Sequence, residues 1–226
     1  MPATLKKPRR AAKLKPHLNG KLASRTVADL VHELGDIPAN RILLHPAPGT
    51  ATEADLLRAI DGDNKVLCEL VNGTLVEKPM GFQESRIASL LIRYFIEFVE
   101  KFDLGFVTGE AGPYRMKTKN VRLPDVTYIS WDRFPSREDA NNPKVCPVSP
   151  DLVVEVLSES NTKKEIEKKQ IEYFETGVRL LWIVDPRKRI VTVHRSDGTH
   201  AVLDHKGKLS GEDVLPGFKL EISKFL

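Results

Sequence analysis

Asp151-Leu152-Val153-Val154-Glu155-Val156-Leu157-Ser158 is the stretch that decides how this chain folds. A near-continuous apolar run of that length, opened by Pro150 and closed by a serine, is the pattern of a β-strand covered on both faces. A helix fits Asn161 to Thr176 and is stopped by Gly177. Leu180-Leu181-Trp182-Ile183-Val184-Asp185 then reads as a further buried strand ahead of Pro186. Strand, helix and strand make a crossover unit with a parallel pair, so the chain belongs to the mixed α/β class. Within the run, Glu155 cannot be buried ionised without a cost of several kcal/mol unless something pairs with it. A metal ion or a fixed cation would remove that cost, and so would a purely structural salt bridge or hydrogen bond.

The flanking sequence supplies the rest of the layers. Upstream, Thr26 caps a short helix with Val27, Leu30, Val31 and Leu34 on one face and Gly35 as its stop, and a second helix runs from near Thr52 to Ile60. Asp61-Gly62-Asp63-Asn64 reads as a turn; it has the start of a calcium loop without the later ligands. Residues 65–71 and 74–78 form a hairpin through Asn72-Gly73, because both positions tolerate positive φ. From Phe82 to Phe102 the apolar residues Ile87, Leu90, Leu91, Tyr94, Phe95, Phe98, Val99 and Phe102 recur at the helical period, giving the longest helix a broad stripe that must lie on a sheet. Residues 106–130 read as strands, with a turn at Thr118-Lys119-Asn120 before an extended Val121 to Ser130. A polar loop from Pro135 to Pro150 separates two neighbouring strands. A closing hairpin spans residues 190–203, and Val214 to Leu220 forms a last extended segment. No internal repeat is evident.

With 226 residues and 41% hydrophobic content, the chain suits one domain, over residues 26–226, behind a tail. That tail, residues 1–25, holds eight of the 35 basic residues and no acid, which leaves the remainder at −4. Such an arm either makes loose phosphate contacts or is a solvated disordered tail or a leftover targeting segment. Cys68 and Cys146 stand far apart, the six histidines show no paired ligand spacing, and no apolar run approaches the roughly 18 residues that span a bilayer. These features exclude a zinc site and a membrane helix, and they lead us to expect a soluble protein of the reducing cytoplasm.

Three further residues carry chemistry. Asp125 follows Pro124 at the head of a strand, where it either projects from the sheet end or caps a turn. Lys169 shares a helix face with Ile166 and Tyr173, so it points toward the core and needs a partner, or else snorkels outward. Glu84 sits one turn before Ile87 at the start of the long helix, where the helix dipole alone favours an acid. Arg115, Lys117, Lys119 and Arg122 surround the turn leading to Asp125, where they either flank a phosphate backbone or guard a strand edge.

Together these residues resemble the PD-(D/E)XK nuclease superfamily, and more closely its Uma-type restriction endonuclease family. The matching text is Arg122-Leu-Pro-Asp125-Val, Pro150-Asp-Leu-Val-Val-Glu155-Val-Leu-Ser158, Lys169 with Tyr173, Gly177-Val178, Trp182-Ile-Val-Asp-Pro186 and Val214-Leu-Pro-Gly-Phe218. It covers roughly residues 50–226. The resemblance implies a restriction-endonuclease-like mixed β-sheet flanked by helices, with Asp125 and Glu155 as metal-binding carboxylates and Glu84 as the first-helix acid beside them. Leu157 stands two residues after Glu155, where the superfamily motif has lysine; by the same resemblance Lys169 takes that lysine's work from the next helix.

The implied activity is Mg2+-dependent endonucleolytic hydrolysis of DNA, with Mn2+ as a possible substitute for the ion and no organic cofactor. Two carboxylates suit a hard cation, the ion acidifies water and offsets phosphate charge, and a lysine stabilises the anionic transition state. Two alternatives stay open: a catalytically inactive nuclease-fold module that binds DNA or a protein partner, and a phosphodiesterase acting on RNA or small nucleotides. A homodimer, needed for paired cuts across a duplex, is a further open possibility.

Overall fold

The computed structural model describes residues 26–63, 65–79, 81–140 and 143–226. The expected disordered arm over residues 1–25 lies outside them. Helix α1 (Val27–Glu33) opens on a reciprocal cap, in which the Thr26 hydroxyl accepts from the Asp29 backbone N–H and the Asp29 carboxylate accepts from that of Thr26. Leu30 and Leu34 are buried, whereas Val27 is exposed, so the inward face is narrower than the apolar spacing implied. Helix α2 (Glu53–Asp61) repeats the same cap with Thr52 and Asp55.

Strands β1 (Cys68–Val71) and β2 (Thr74–Glu77) form the expected tight hairpin, with φ of 49° at Asn72 and 70° at Gly73. A side chain at Gly73 would be strained by that φ and would also bring a Cβ within 2.7 Å of the Gly49 backbone. We therefore expect Gly73→Ala to destabilise the protein by about 2 kcal/mol or more in urea unfolding. Gly198→Ala, where φ is +87° but nothing lies within 4 Å, should cost about half of that.

The long helix α3 (Phe82–Lys101) leads through β3 (Gly105–Gly109) and β4 (Tyr114–Arg115) to β5 (Val121–Arg122) and β6 (Val126–Ser130). Here the structure departs from the sequence reading. Val121 to Ser130 is not one extended strand: β5 pairs with β1 and β4, while β6 pairs with β3 and with β7 (Leu152–Val156). Pro124, which has no N–H to give to a ladder, stands in the step between two sheets.

Helix α4 (Lys163–Thr176) ends on Gly177 in the left-handed region, at φ 115°. Strand β8 (Leu180–Asp185) lies parallel to β7, which completes the crossover unit. Strands β9 (Ile190–Arg195) and β10 (His200–Asp204) form the expected hairpin, and β11 (Lys208–Ser210) pairs with β12 (Lys219–Glu221). The main sheet has the order β10-β9-β8-β7-β6-β3, and a four-stranded sheet has the order β2-β1-β5-β4. Val214 to Leu220 is not a continuous extended segment: Leu215 N–H returns to Gly211 O at 2.8 Å and Phe218 N–H to Leu215 O at 3.1 Å. That turn lets Phe218 reach the core, 5.0 Å from the Phe95 ring.

Alternation along the central strands puts the two helices on opposite faces. Val154 and Trp182 join Leu91 and Phe95 of α3, whereas Val153 and Leu181 join Tyr173 of α4. Glu155, two residues from Val153, therefore faces α4. Among the described residues no helix is long and apolar enough to cross a membrane.

Candidate active site

Asp125 and Glu155 meet because of strand register. The antiparallel pairing sets Val126 opposite Val154, so the residue before β6 and the penultimate residue of β7 share one end of the sheet. Asp125 Oδ2 accepts a hydrogen bond from Val156 N–H at 2.6 Å. Its Oδ1 is paired with Lys78 Nζ at 2.8 Å, and Lys78 also donates to the Leu123 carbonyl at 2.6 Å.

On the α4 side, Lys169 Nζ lies 3.3 Å from both oxygens of Glu155, and the Tyr173 hydroxyl donates to Glu155 Oε1. The spacing that turned Lys169 toward the core thus delivers it to the carboxylate in the central strand. Lys169 is shared with a second acid, Glu69 of β1, at 3.0 Å. Glu69 in turn accepts from Leu123 N–H at 3.1 Å and pairs with Arg122 at 2.9 Å. Arg122 also holds Glu172 at 2.6 Å.

Arg122 is consequently a buried member of this network and does not flank a phosphate backbone; Arg115 of the same basic group pairs with Glu53 at 2.7 Å. Sequence reasoning missed Glu69 and Lys78. Glu69 carried the same signal as Glu155, a carboxylate inside the apolar run Leu67-Cys68-Glu69-Leu70-Val71. Lys78 carried none, because its reach to Asp125 depends on how the small sheet sits beside the step at Pro124.

The electrostatics follow from burial and from this sharing. Burial alone would raise the Glu69 carboxyl, but Lys169 and Arg122 outweigh it and hold the group down at about 2. For Glu155 burial wins: despite Lys169, the carboxyl is pushed up, with Asp125 and Glu69 adding repulsion. Tyr173 is raised well above its usual range, by burial first and then by Glu155 and Glu69, so it remains a donor. Counted with every group ionised, four carboxylates (Glu69, Asp125, Glu155, Glu172) face three cations (Lys78, Arg122, Lys169), an excess of one negative charge in a largely buried setting.

Clefts border this network on two sides of the start of α3. One is lined by Arg41, Lys78, Phe82, Glu84, Ser158 and Ser160, and the other reaches Asp125 past Ser85, Ser89 and Gly109. Glu84 is half-buried in the first cleft, with its carboxylate folded back over Gly81. Among the described residues no group of three or more His, Cys, Asp or Glu side chains is gathered to hold a metal ion; Glu84 lines the first cleft and Asp125 the second. Asp125 and Glu155 still suit a hard divalent cation: both offer carboxylate oxygen, and the cluster has a negative charge to spare.

A mixed sheet with helices on both faces, and carboxylates at the common end of adjacent central strands, defines a restriction-endonuclease-like α/β protein. Residues 54–223 match the Uma2 family, described as "Putative restriction endonuclease", and the chain belongs to that family. Among solved structures the fold is similar to that of a protein from Anabaena variabilis described as a "putative nuclease belonging to DUF820". The TM-score is 0.63 at 21% sequence identity, covering 70% of this chain and 88% of that one. No curated protein matches the chain.

Proposed function

We propose that the protein is a metal-dependent endonuclease that hydrolyses DNA phosphodiester bonds. The observation that carries this reading is the meeting of Asp125 and Glu155 at one end of the central strands, in a buried cluster short of one positive charge. Asp125 and Glu155 would hold the ion, Mg2+ with Mn2+ as a substitute. Bound there, it would acidify water and offset the charge that builds on the scissile phosphate. Val156 N–H fixes the orientation of Asp125, and Lys169 with Tyr173 fixes that of Glu155. Lys169 also favours the ionised, ligating form of Glu155 against the pull of burial. Glu84, on the cleft wall, would join as a third acid by turning away from Gly81.

Incubation of the purified chain with supercoiled plasmid, linear duplex and single-stranded DNA tests this. Nicking or cutting is expected with Mg2+ or Mn2+ and none in excess chelator. A second reading, a DNA- or protein-binding module without catalysis, draws on Leu157 at the motif's lysine position and on the ammonium groups that already face both carboxylates. DNA retention with no cleavage under any divalent ion would favour it, and cleavage confined to RNA would redirect the substrate.

A further inference from the structure

Two lysines face the two carboxylates, and their surroundings assign them different work. Lys169 is buried beneath both Glu155 and Glu69, and its departure would strand two acids in the core. Lys78 is also buried and its charge reaches Glu69 and Glu155, but its direct contacts are one carboxylate, that of Asp125, and one backbone carbonyl, at the wall of the cleft that also holds Phe82, Glu84 and Ser158. Of the Asp125 oxygens, Oδ2 is engaged by Val156 N–H at 2.6 Å, so Oδ1 is the one a cation would take, and Lys78 is on it at 2.8 Å.

We propose that Lys78 is the exchangeable cation of this site: a divalent ion displaces it from Asp125, and its ammonium then turns into the cleft to meet the substrate's phosphate. This rests on the metal-nuclease reading above. Charge balance supports the exchange. Counted with every group ionised, the cluster carries one net negative charge with Lys78 in place; substituting a divalent ion for that single positive charge leaves it neutral. A lysine suits the task, since its point charge rides on a flexible four-carbon stem and its donors do not demand one fixed geometry. The lysine missing two residues after Glu155 would thus be answered by two residues: Lys169 positions Glu155, and Lys78 meets the phosphate.

The test is calorimetric titration of the full chain with MnCl2 in the absence of DNA, followed by single-turnover cleavage at saturating Mn2+. Lys78→Met removes the competitor, and Lys78→Gln, which keeps a donor for the Leu123 carbonyl, serves where the first variant folds poorly. Mn2+ should bind about tenfold more tightly to the variant. Cleavage at saturating Mn2+ should nevertheless be about a hundredfold slower. Unchanged or weaker Mn2+ affinity in a folded variant overturns the exchange. Tighter Mn2+ binding with an undiminished cleavage rate overturns the contact with phosphate. If the wild-type chain neither takes up Mn2+ nor cuts, the nuclease reading fails and takes this inference with it; if the wild type does both and the Lys78 variants match it, only the inference falls.

Discussion

Glu155→Gln should yield a folded protein whose divalent-ion-dependent cleavage is reduced by roughly a thousandfold or more, the scale of about 4 kcal/mol of lost transition-state stabilisation. The substitution preserves shape. The Gln carbonyl can still accept from the Tyr173 hydroxyl, but its amide nitrogen must face the Lys169 ammonium, donor against donor, and the ligating charge is gone. Asp125→Asn should act in the same direction: its carbonyl can keep the bond from Val156 N–H while its amide meets Lys78. Circular dichroism and single-turnover assays on both variants separate lost chemistry from lost fold. Full-rate cleavage by either variant would remove that residue from the mechanism.

Lys169→Met should be the most destabilising single change in the site, by about 3–5 kcal/mol at neutral pH. Methionine fills the space, but Glu69 and Glu155 lose the ammonium they share at 3.0 and 3.3 Å, and neither can reach bulk water. Without Lys169 the Tyr173 hydroxyl and the more distant charge of Lys78 are left to oppose burial and the repulsion of Asp125 and Glu69, and the Glu155 carboxyl is already pushed up by burial. A proton on Glu155 relieves part of the deficit, so the destabilisation should be smaller at pH 5 than at pH 8. Lys163→Met on the same helix is the control: its side chain is almost fully exposed and pairs with Glu167 one turn on, so the change should stay within about 0.5 kcal/mol. Urea unfolding of the three proteins at the two pH values measures both effects.

What the sequence disclosed depended on how local each signal was. The hairpin at Asn72-Gly73, the stripe of α3 and the strand-helix-strand unit from Leu152 to Asp185 are set by turn chemistry and by periodicity within one element, and they hold in the structure except at Phe102, which ends the stripe exposed at the helix cap. Glu155 was conspicuous because a carboxylate interrupts an apolar strand, and Lys169 because helical spacing turned it inward. Glu69 interrupts an apolar run in the same way, yet nothing local shows that β1 lies close enough to α4 to share a lysine with Glu155. Arg122 looked like a surface cation because three basic residues, Arg115, Lys117 and Lys119, precede it within seven positions. Its burial comes from pairing across the step at Pro124, where an apparently continuous strand passes from one sheet to another. Lys78 is the extreme case: its place beside Asp125 is purely tertiary.

Binding of one divalent ion by Asp125 and Glu155 is the step on which the proposed chemistry depends. Crystals soaked in MnCl2 and measured for anomalous scattering test it most directly. The expected result is a single strong peak beside the carboxylates of Asp125 and Glu155, lost in Asp125→Asn. Crystals that take up Mn2+ elsewhere, or not at all, while Lys78 stays on Asp125 would contradict it.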